Sequence, residues 1–178
     1  MDTPTQILSA EHQNILRVID AMESECELLN DGSAPDITFF NRCVDFIKHY
    51  ADGFHHAKEE DILFARLGGG DIAMPPGPVN QMLREHDMGR EFVSGLVEGI
   101  GKGDTAQMTE NARAYCHLLK QHIYKEDNIL YPMADQALGK EDQDEMLHAF
   151  ERAEKEQFSA DEVAGYLQFA ESCVNRHA

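Results

Sequence analysis

The sequence predicts an all-α protein: an antiparallel up-down four-helix bundle followed by a C-terminal helical extension. Apolar residues recur at alternating spacings of three and four in four long segments, which is the period of an amphipathic helix. No segment shows the alternating pattern of a β-strand, and clusters of Gly, Pro, Asn and Asp separate the helical segments. We therefore expect the bundle in residues 1–138 and the extension, packed on the same domain, in residues 139–178.

The first two helices each carry a histidine within their apolar stripe. Helix one begins at Thr3-Pro4, and its stripe is Leu8, His12, Ile15, Ile19, Met22, Cys26 and Leu29. Asp36 caps helix two, whose stripe is Phe40, Val44, Ile47, Ala51, His55, Glu59 and Ile62. Neighbouring residues of an α-helix are rotated by about 100°. This rotation predicts that His55 and Glu59 face inward, with His56 and Glu60 at the edge or in solvent.

The second half of the chain repeats this arrangement after a Gly- and Pro-rich linker at 68–78. Helix three is expected to begin at Pro78, with the stripe Val79, Leu83, His86, Val93, Val97 and Ile100. Asp104 caps helix four, with the stripe Met108, Ala112, Tyr115, Leu119, His122, Glu126, Ile129 and Met133. Two shorter helices are predicted beyond it, at about residues 141–157 and after a capping box at Ser159 and Glu162.

Composition excludes several classes of function. The net charge of −18 disfavours binding to nucleic acid or anionic membranes. No stretch approaches the roughly 20 apolar residues of a membrane helix, and the N-terminus lacks the features of a signal peptide. The four cysteines are scattered without a Cys-x-x-Cys motif, which is typical of buried reduced thiols in the cytoplasm.

The main functional signal is an internal repeat. The segment 122–131 repeats the segment 55–64, so that His122 matches His55, Glu126 matches Glu59, and Tyr131 matches Phe64. Lys58 and Lys125 also coincide and are expected to face solvent. Glu11-His12 and Glu85-His86 each lie upstream of one copy. Each half of the chain thus supplies one His and then a His-x-x-x-Glu, a pattern that predicts a binuclear metal site.

Helix direction predicts that these residues converge. In an antiparallel bundle they all lie roughly 10–16 Å from one end, on the inward stripes. The predicted ligands are His12, His55, Glu59, His86, His122 and Glu126. Buried carboxylates require compensating cations. Imidazole and carboxylate suit iron, manganese or zinc, and the absence of thiolate argues against copper(I) and structural zinc. With both carboxylates bridging, about four of the twelve octahedral positions remain for oxide, hydroxide, water or a small ligand such as O2.

Simpler interpretations of these residues compete with a binuclear site. A single histidine in an apolar stripe is usually a hydrogen-bonded core residue, but two copies in register make chance an unsatisfactory explanation. A ferritin-like site requires Glu-x-x-His on two helices, and the only such spacing joins Glu145 to His148. Tyr50 and Tyr115 are expected in the core or at its rim. The remaining histidines are expected at the surface: His49, His117, His148 and His177.

These motifs resemble the hemerythrin-like, or HHE cation-binding, family over about residues 5–135. The resemblance rests on Glu11-His12, His55-x-x-x-Glu59-Glu60-x-x-Leu63-Phe64, Glu85-His86 and His122-x-x-x-Glu126-Asp127-x-x-Leu130-Tyr131-Pro132. It implies a four-helix bundle with a carboxylate-bridged, non-haem di-iron site held by the six residues named above. Two iron ions are the expected cofactor, ahead of manganese or zinc, and Glu60, Asp127 or a tyrosine could add a ligand.

Departures from the family pattern narrow the expected function. Oxygen-carrying members have a further histidine where this chain has Arg90, and they use His-x-x-x-x-Asp on the last helix, where this chain offers Asp127 as well as Glu126. A four-His, two-carboxylate site is more similar to bacterial members linked to NO or O2 sensing and to iron–sulfur repair. Repair members usually carry an additional cysteine-bearing N-terminal segment, whereas this sequence starts on helix one.

We therefore expect a di-iron protein that binds a small diatomic ligand, O2 or NO, for sensing, storage or detoxification. The alternatives are an enzyme acting on peroxide or NO, an iron donor in iron–sulfur repair, and a helical interaction module with vestigial histidines.

Overall fold

The computed structural model describes residues 2–30, 32–72, 74–174 and 176, which form six helices and no strand. The helices are α1 (Pro4–Asn30), α2 (37–67), α3 (Pro76–Lys102), α4 (105–137), α5 (Lys140–Gln157) and α6 (Ala160–Val174). The predicted all-α class is confirmed. Helix α3 begins at Pro76, two residues before the predicted start.

The predicted capping residues begin the helices as expected. At the start of α1, the Gln6 amide N–H donates to Thr3 Oγ1, and the Thr3 amide N–H donates to Gln6 Oε1. The caps of α2, α4 and α6 each accept from the backbone amide of the third residue of the helix: Asp36 from Phe39, Asp104 from Gln107, and Ser159 from Glu162. Each cap satisfies an amide that the helix leaves without an internal partner.

Two hydrophobic clusters form the core. The larger one runs through residues such as Ile19, Phe46 and Leu96 and includes Phe169 of α6; the smaller one gathers Leu8, Leu63, Met82 and Leu130, and includes Phe150 of α5. Along each of α1–α4, the predicted ligands lie between a residue of one cluster and a residue of the other. The candidate site is therefore a polar layer between two apolar ones.

Three stretches of π-helix interrupt the α-helical period near that layer. They are Ile47–His56 and Glu59–Phe64 in α2, and Glu126–Leu130 in α4. A π-turn holds more residues than an α-turn, so the positions that follow are shifted along the helix face. The prediction that Ile129 faces inward is wrong for this reason, and Ile62 is only partly buried, against the smaller cluster. Ile129 is half exposed, and Leu63 and Leu130 are buried instead.

The predicted inward face of α3 is also partly wrong. Val97 is exposed, and the buried positions are Met82, His86, Gly89, Val93, Leu96 and Gly99. Glycine carries no apolar side chain, so the spacing of apolar residues did not mark Gly89 and Gly99 as buried positions. A Cβ atom added at Gly99 would lie 2.7 Å from the backbone nitrogen of Met108. The glycine therefore allows α3 and α4 to approach closely.

The two C-terminal helices pack on the first two. The Phe158 ring meets Phe54 edge-to-face at 5.4 Å between centroids, and the Phe169 ring lies 6.0 Å from Phe46. The four cysteines are buried and unpaired, as predicted. No helix in the described part of the chain is both long and apolar enough to cross a membrane.

Candidate metal centre

All six predicted ligands are buried and lie within one layer. Helix α1 supplies one, α2 two, α3 one and α4 two, and each is at most 2% exposed: His12, His55, Glu59, His86, His122 and Glu126. Donor atoms of His12, His55, Glu59 and Glu126 lie within 4.8 Å of one another. Glu59 also belongs to a second group of the same compactness with His86 and His122. The structure therefore brings together every residue that the repeat selected.

A carboxylate orients each of the four imidazoles. The Nδ1 atoms lie 2.9 Å from Asp127 for His12, 2.9 Å from Glu11 for His55, 2.7 Å from Glu60 for His86, and 2.9 Å from Glu85 for His122. An ionised carboxylate can only accept a hydrogen bond, so each Nδ1 carries the hydrogen. The Nε2 atoms are left with their lone pairs directed into the layer, which is the arrangement that metal-binding histidines adopt.

This orientation leaves the centre of the layer short of positive charge. The Nε2 atoms of His86 and His122 lie only 3.0 Å apart. Two lone pairs at this distance repel unless a cation, either a proton or a metal ion, lies between or beside them. His55 Nε2, Glu59 Oε2 and both carboxylate oxygens of Glu126 are buried and have no hydrogen-bond partner. Buried polar atoms without partners are costly, and a bound cation would satisfy all of them together.

The pKa values of the layer indicate the same demand for positive charge. Burial would raise the pKa of Glu59, but the imidazoles of His55 and His86 hold it well below its usual value. Burial likewise disfavours charge on His12 and His86. Hydrogen bonds to neighbouring carboxylates nevertheless raise the pKa of His12 to about 10 and that of His86 to about 9. The layer therefore stabilises carboxylate anions and attracts cations to the imidazoles.

Glu126, rather than Asp127, faces the centre. The Glu126 Oε2 atom lies 3.3 Å from His12 Nε2 and 3.2 Å from His122 Nε2. The Asp127 carboxylate is partly exposed and accepts from Ser9 Oγ at 2.5 Å and from His12 Nδ1. Glu60 lies at the edge of the layer, as predicted, where it orients His86. Asp127 and Glu60 thus support imidazoles instead of pointing into the centre.

Tyr131 contacts one of the two central carboxylates. Its hydroxyl donates to Glu59 Oε1 at 2.6 Å, and its ring is parallel to that of His12 at 5.6 Å between centroids. Burial, with Glu59 and Glu126 nearby, raises the pKa of the phenol well above its usual value, so it stays a donor. The repeat places Phe64 at the equivalent position, so the two halves of the layer differ here.

The expected exposure of the two lysines of the repeat is wrong. Lys58 is buried and donates to Glu11 and, at 2.7 Å, to Glu154 of α5. Lys125 is partly buried and donates to Glu85. Each lysine therefore neutralises the carboxylate that orients a histidine. The matching positions of the two lysines in the repeat could have indicated this role. A lysine on an amphipathic helix is, however, ordinarily predicted to face solvent.

His56 is the second correction at the site. It was expected at the edge or in solvent, yet it is buried, and its ring stacks on that of His86 at 3.9 Å between centroids. The π-helical run Ile47–His56 explains the difference, because its wider turn rotates successive residues by less than an α-helix does. Adjacent residues His55 and His56 can therefore both face the layer.

A cavity of about 220 Å³ lies between α2, α3 and α4 and reaches His56 and His86. Val93, Leu119 and Tyr115 are among the residues that line it, and the Tyr115 hydroxyl is buried and has no hydrogen-bond partner. Arg90 lines the cavity and donates to Asp52 at 2.8 Å and to Glu60 at 2.6 Å. The cavity therefore adjoins one side of the layer.

The remaining tyrosines and histidines expected in the core or at the surface lie where they were predicted. Tyr50 and Tyr115 are buried in the core, as predicted. His49, His117 and His148 are exposed, and His177 lies outside the described residues.

Comparison with known proteins agrees with this geometry. Residues 3–134 match the sequence profile described as the Hemerythrin HHE cation binding domain. Two similar proteins, from Pectobacterium carotovorum subsp. carotovorum and Pectobacterium atrosepticum, are each called iron-sulfur cluster repair protein YtfE. Each is 36% identical over 88 residues, a match that covers 45% of this chain and 40% of the relative. The match thus spans less than half of either relative, and no solved structure gives a significant match.

Proposed function

Since the chain belongs to the hemerythrin HHE cation-binding family, we propose that it is a non-haem di-iron protein that binds a small diatomic ligand. The ligand would be O2 or NO, bound for sensing, storage or detoxification. The observation that carries the proposal is the set of inward Nε2 lone pairs and unpartnered carboxylate oxygens in one buried layer. Two cations would satisfy the whole set.

The arrangement of donors supports two adjacent metal positions. Glu59 belongs to both compact groups of donor atoms, and Glu126 lies between His12 and His122. We propose His12, His55, Glu59, His86, His122 and Glu126 as the ligands, with the two glutamates shared between positions in an antiparallel four-helix bundle. A mixture of imidazole and carboxylate suits iron, and fits manganese or zinc less specifically. Iron in such a site supplies reversible binding of diatomic molecules.

The surrounding residues would control access and protonation. Apolar layers above and below keep bulk water away from the carboxylates. Tyr131 holds a proton at Glu59 Oε1, and four carboxylates hold the protons of the four Nδ1 atoms. The cavity beside His56 is larger than the about 150 Å³ space that admits benzene in an engineered protein, so a diatomic molecule fits easily.

Ligand binding can be tested on the iron-loaded, reduced protein by titration with O2 and with NO under optical detection. We expect a new visible absorption band with either ligand. His122→Ala should abolish the band, whereas the exposed histidine of the same helix, in His117→Ala, should leave it unchanged. Val93→Phe, which narrows the cavity, should slow the appearance of the band without loss of iron. An iron-loaded protein with no spectral response to either molecule would refute the proposal.

Iron–sulfur repair is a second candidate, favoured by the names of the two relatives. In this function the protein would release iron to a damaged cluster instead of retaining it. The test is to mix the iron-loaded protein with an enzyme whose cluster has been oxidatively damaged, and to measure recovered activity. Recovery that His122→Ala abolishes would favour repair. Stoichiometric ligand binding without recovery of the damaged enzyme's activity would favour the first proposal over repair. Stoichiometric binding without turnover of peroxide or NO would favour it over an enzyme.

We also propose that residues 1–138 form the metal-binding unit and that residues 139–178 form an extension packed on it. The contact of Lys58 with Glu154 and the packing of Phe158 on Phe54 support the packing of the extension on this unit. Buried, unpaired cysteines are compatible with a reducing compartment such as the cytoplasm.

A further inference from the structure

His56 repeats, at a fifth position, the geometry of the four imidazoles described above. Its Nδ1 atom lies 3.3 Å from Asp52 Oδ1. Asp52 in turn accepts from Arg90, whose guanidinium holds the carboxylate in its ionised form. Nδ1 therefore carries the hydrogen, and the lone pair of His56 is on Nε2.

The donor atom of His56 lies among those of three proposed ligands. Donor atoms of His56, Glu59, His86 and His122 are all within 4.8 Å of one another, and all four residues are buried. Metal–nitrogen bonds of about 2.1 Å allow one ion to reach such a group with small side-chain adjustments. The second group contains two imidazoles, those of His12 and His55, together with both glutamates. The two halves of the layer are thus unequal in nitrogen donors.

The repeat offers no counterpart to His56. The equivalent position in the second copy is Ile123, which belongs to the larger hydrophobic cluster. The long π-helical run Ile47–His56 likewise precedes only the first copy, since α4 is α-helical from Thr105 to Lys125. The local backbone that turns His56 inward is therefore specific to one side of the layer.

From these observations we propose that His56 is a fifth imidazole ligand, bound through Nε2 to the metal position that it shares with His86, His122 and Glu59. Asp52 and Arg90 are positioning residues for this ligand. The inference rests on the proposed metal centre and adds to it that the two metal positions are unlike. His56 also lines the cavity, so the position with three imidazoles is the one that a molecule in the cavity meets first.

The test compares three iron-loaded proteins by iron content and by Mössbauer spectroscopy, which distinguishes irons in different surroundings. The wild type should show two resolved doublets of equal area. His56→Gln should weaken iron binding at one position by at least about tenfold and alter one doublet only. The matched control is His49→Gln, because His49 also faces a carboxylate four residues earlier, Asp45, but is exposed. This control should match the wild type.

A further variant separates an effect on the ligand from misfolding. Asp52→Asn keeps the imidazole and removes the charge that orients it, so it should shift the same doublet by a smaller amount. Helix content and the free energy of unfolding of the metal-free variants check the fold. A wild type with two irons but a single doublet, or a folded His56→Gln with wild-type spectra and iron content, would overturn this inference alone. A wild type without iron would overturn both this inference and the proposed function.

Discussion

At the scale of single residues, every proposed histidine ligand depends on a carboxylate in contact with its Nδ1 atom. Glu11 and Glu85 are equivalent in the repeat. Each orients a histidine and also accepts a hydrogen bond from the lysine three residues after that histidine. The two lysines differ in burial, since Lys58 is almost fully buried and Lys125 is 27% exposed. This difference makes the pair a natural comparison of a buried and a partly solvated ion pair.

Replacing these lysines should destabilise the fold unequally. Lys58→Met leaves Glu11 buried beside His55 without its cation, and we expect a loss of about 3–5 kcal/mol in the free energy of unfolding. Lys125→Met removes a pair that water can partly replace, and we expect a loss of about 1 kcal/mol or less. Urea denaturation of both variants measures the difference. Equal losses would mean that burial of Lys58 has no energetic consequence.

Acid should destabilise the protein through Glu85, the carboxylate that orients His122. Burial raises the pKa of Glu85, but hydrogen bonds from His122 and Lys125 outweigh it and lower the pKa to about 2. A depressed pKa stabilises the folded state above the unfolded value of about 4.5. This contribution is lost as the pH falls from about 4.5 towards 2.

The free energy of unfolding of the metal-free protein, measured between pH 6 and pH 3, should therefore decline more steeply for the wild type than for Glu85→Gln. Parallel pH profiles for the two proteins would contradict the role given to Glu85.

At the scale of helices, the sequence predicted the inward stripes of α1, α2 and α4 as far as the metal-binding layer. In α1, which has no π-turn, the predicted series from Leu8 to Cys26 is buried throughout. In α2 and α4 the prediction holds up to the glutamates, after which Ile62 is only partly buried and Ile129 is exposed, while the next residue of each helix is buried. The α-helical period was the only period assumed, and no residue type specifies a π-turn. The same assumption placed His56 outside the layer.

The glycines of α3 are the other feature that a hydrophobic pattern could not reveal. Gly99→Ala should cost about 1–3 kcal/mol of stability, because the new Cβ would meet the backbone of Met108 and force the helices apart. Gly101→Ala is the matched control in the same helix, since nothing lies within 4 Å of a Cβ at that position. That substitution should be neutral or stabilising by up to about 1 kcal/mol. Thermal unfolding of both variants tests whether close approach of α3 and α4 requires Gly99.

At the scale of the whole molecule, the two halves repeat the site, but their surroundings differ. Spacing and helix direction were enough to select all six proposed ligands, because each falls on an inward stripe at similar depth. Spacing and helix direction were not enough to identify the residues that surround these ligands. Tyr131, Lys58 and Asp52 act through contacts between different helices. Such contacts depend on how helices are rotated against one another, which a single sequence does not specify.

Metal removal should lower the stability of the whole molecule. The buried imidazoles and carboxylates lose their compensating cations when iron is stripped, and binding to the folded state alone adds stability by mass action. With free Fe(II) at about 100 times its dissociation constant, we expect a gain in the free energy of unfolding of about 2.7 kcal/mol for each bound ion, or about 5.4 kcal/mol for two independent sites. Calorimetry of the stripped and reloaded protein measures this gain. A helical module with vestigial histidines would unfold identically in both conditions.

The central claim is that six buried residues from four helices hold two iron ions. The most direct measurement is iron content per chain after anaerobic loading with Fe(II) and removal of unbound metal, for the wild type and for Glu59→Ala. The wild type should retain about two irons per chain, as expected for a mixed imidazole and carboxylate site. Glu59→Ala, which removes the residue common to both donor groups, should retain less than about one. A wild type that retains no iron, or a Glu59→Ala variant that retains as much iron as the wild type, would contradict the claim.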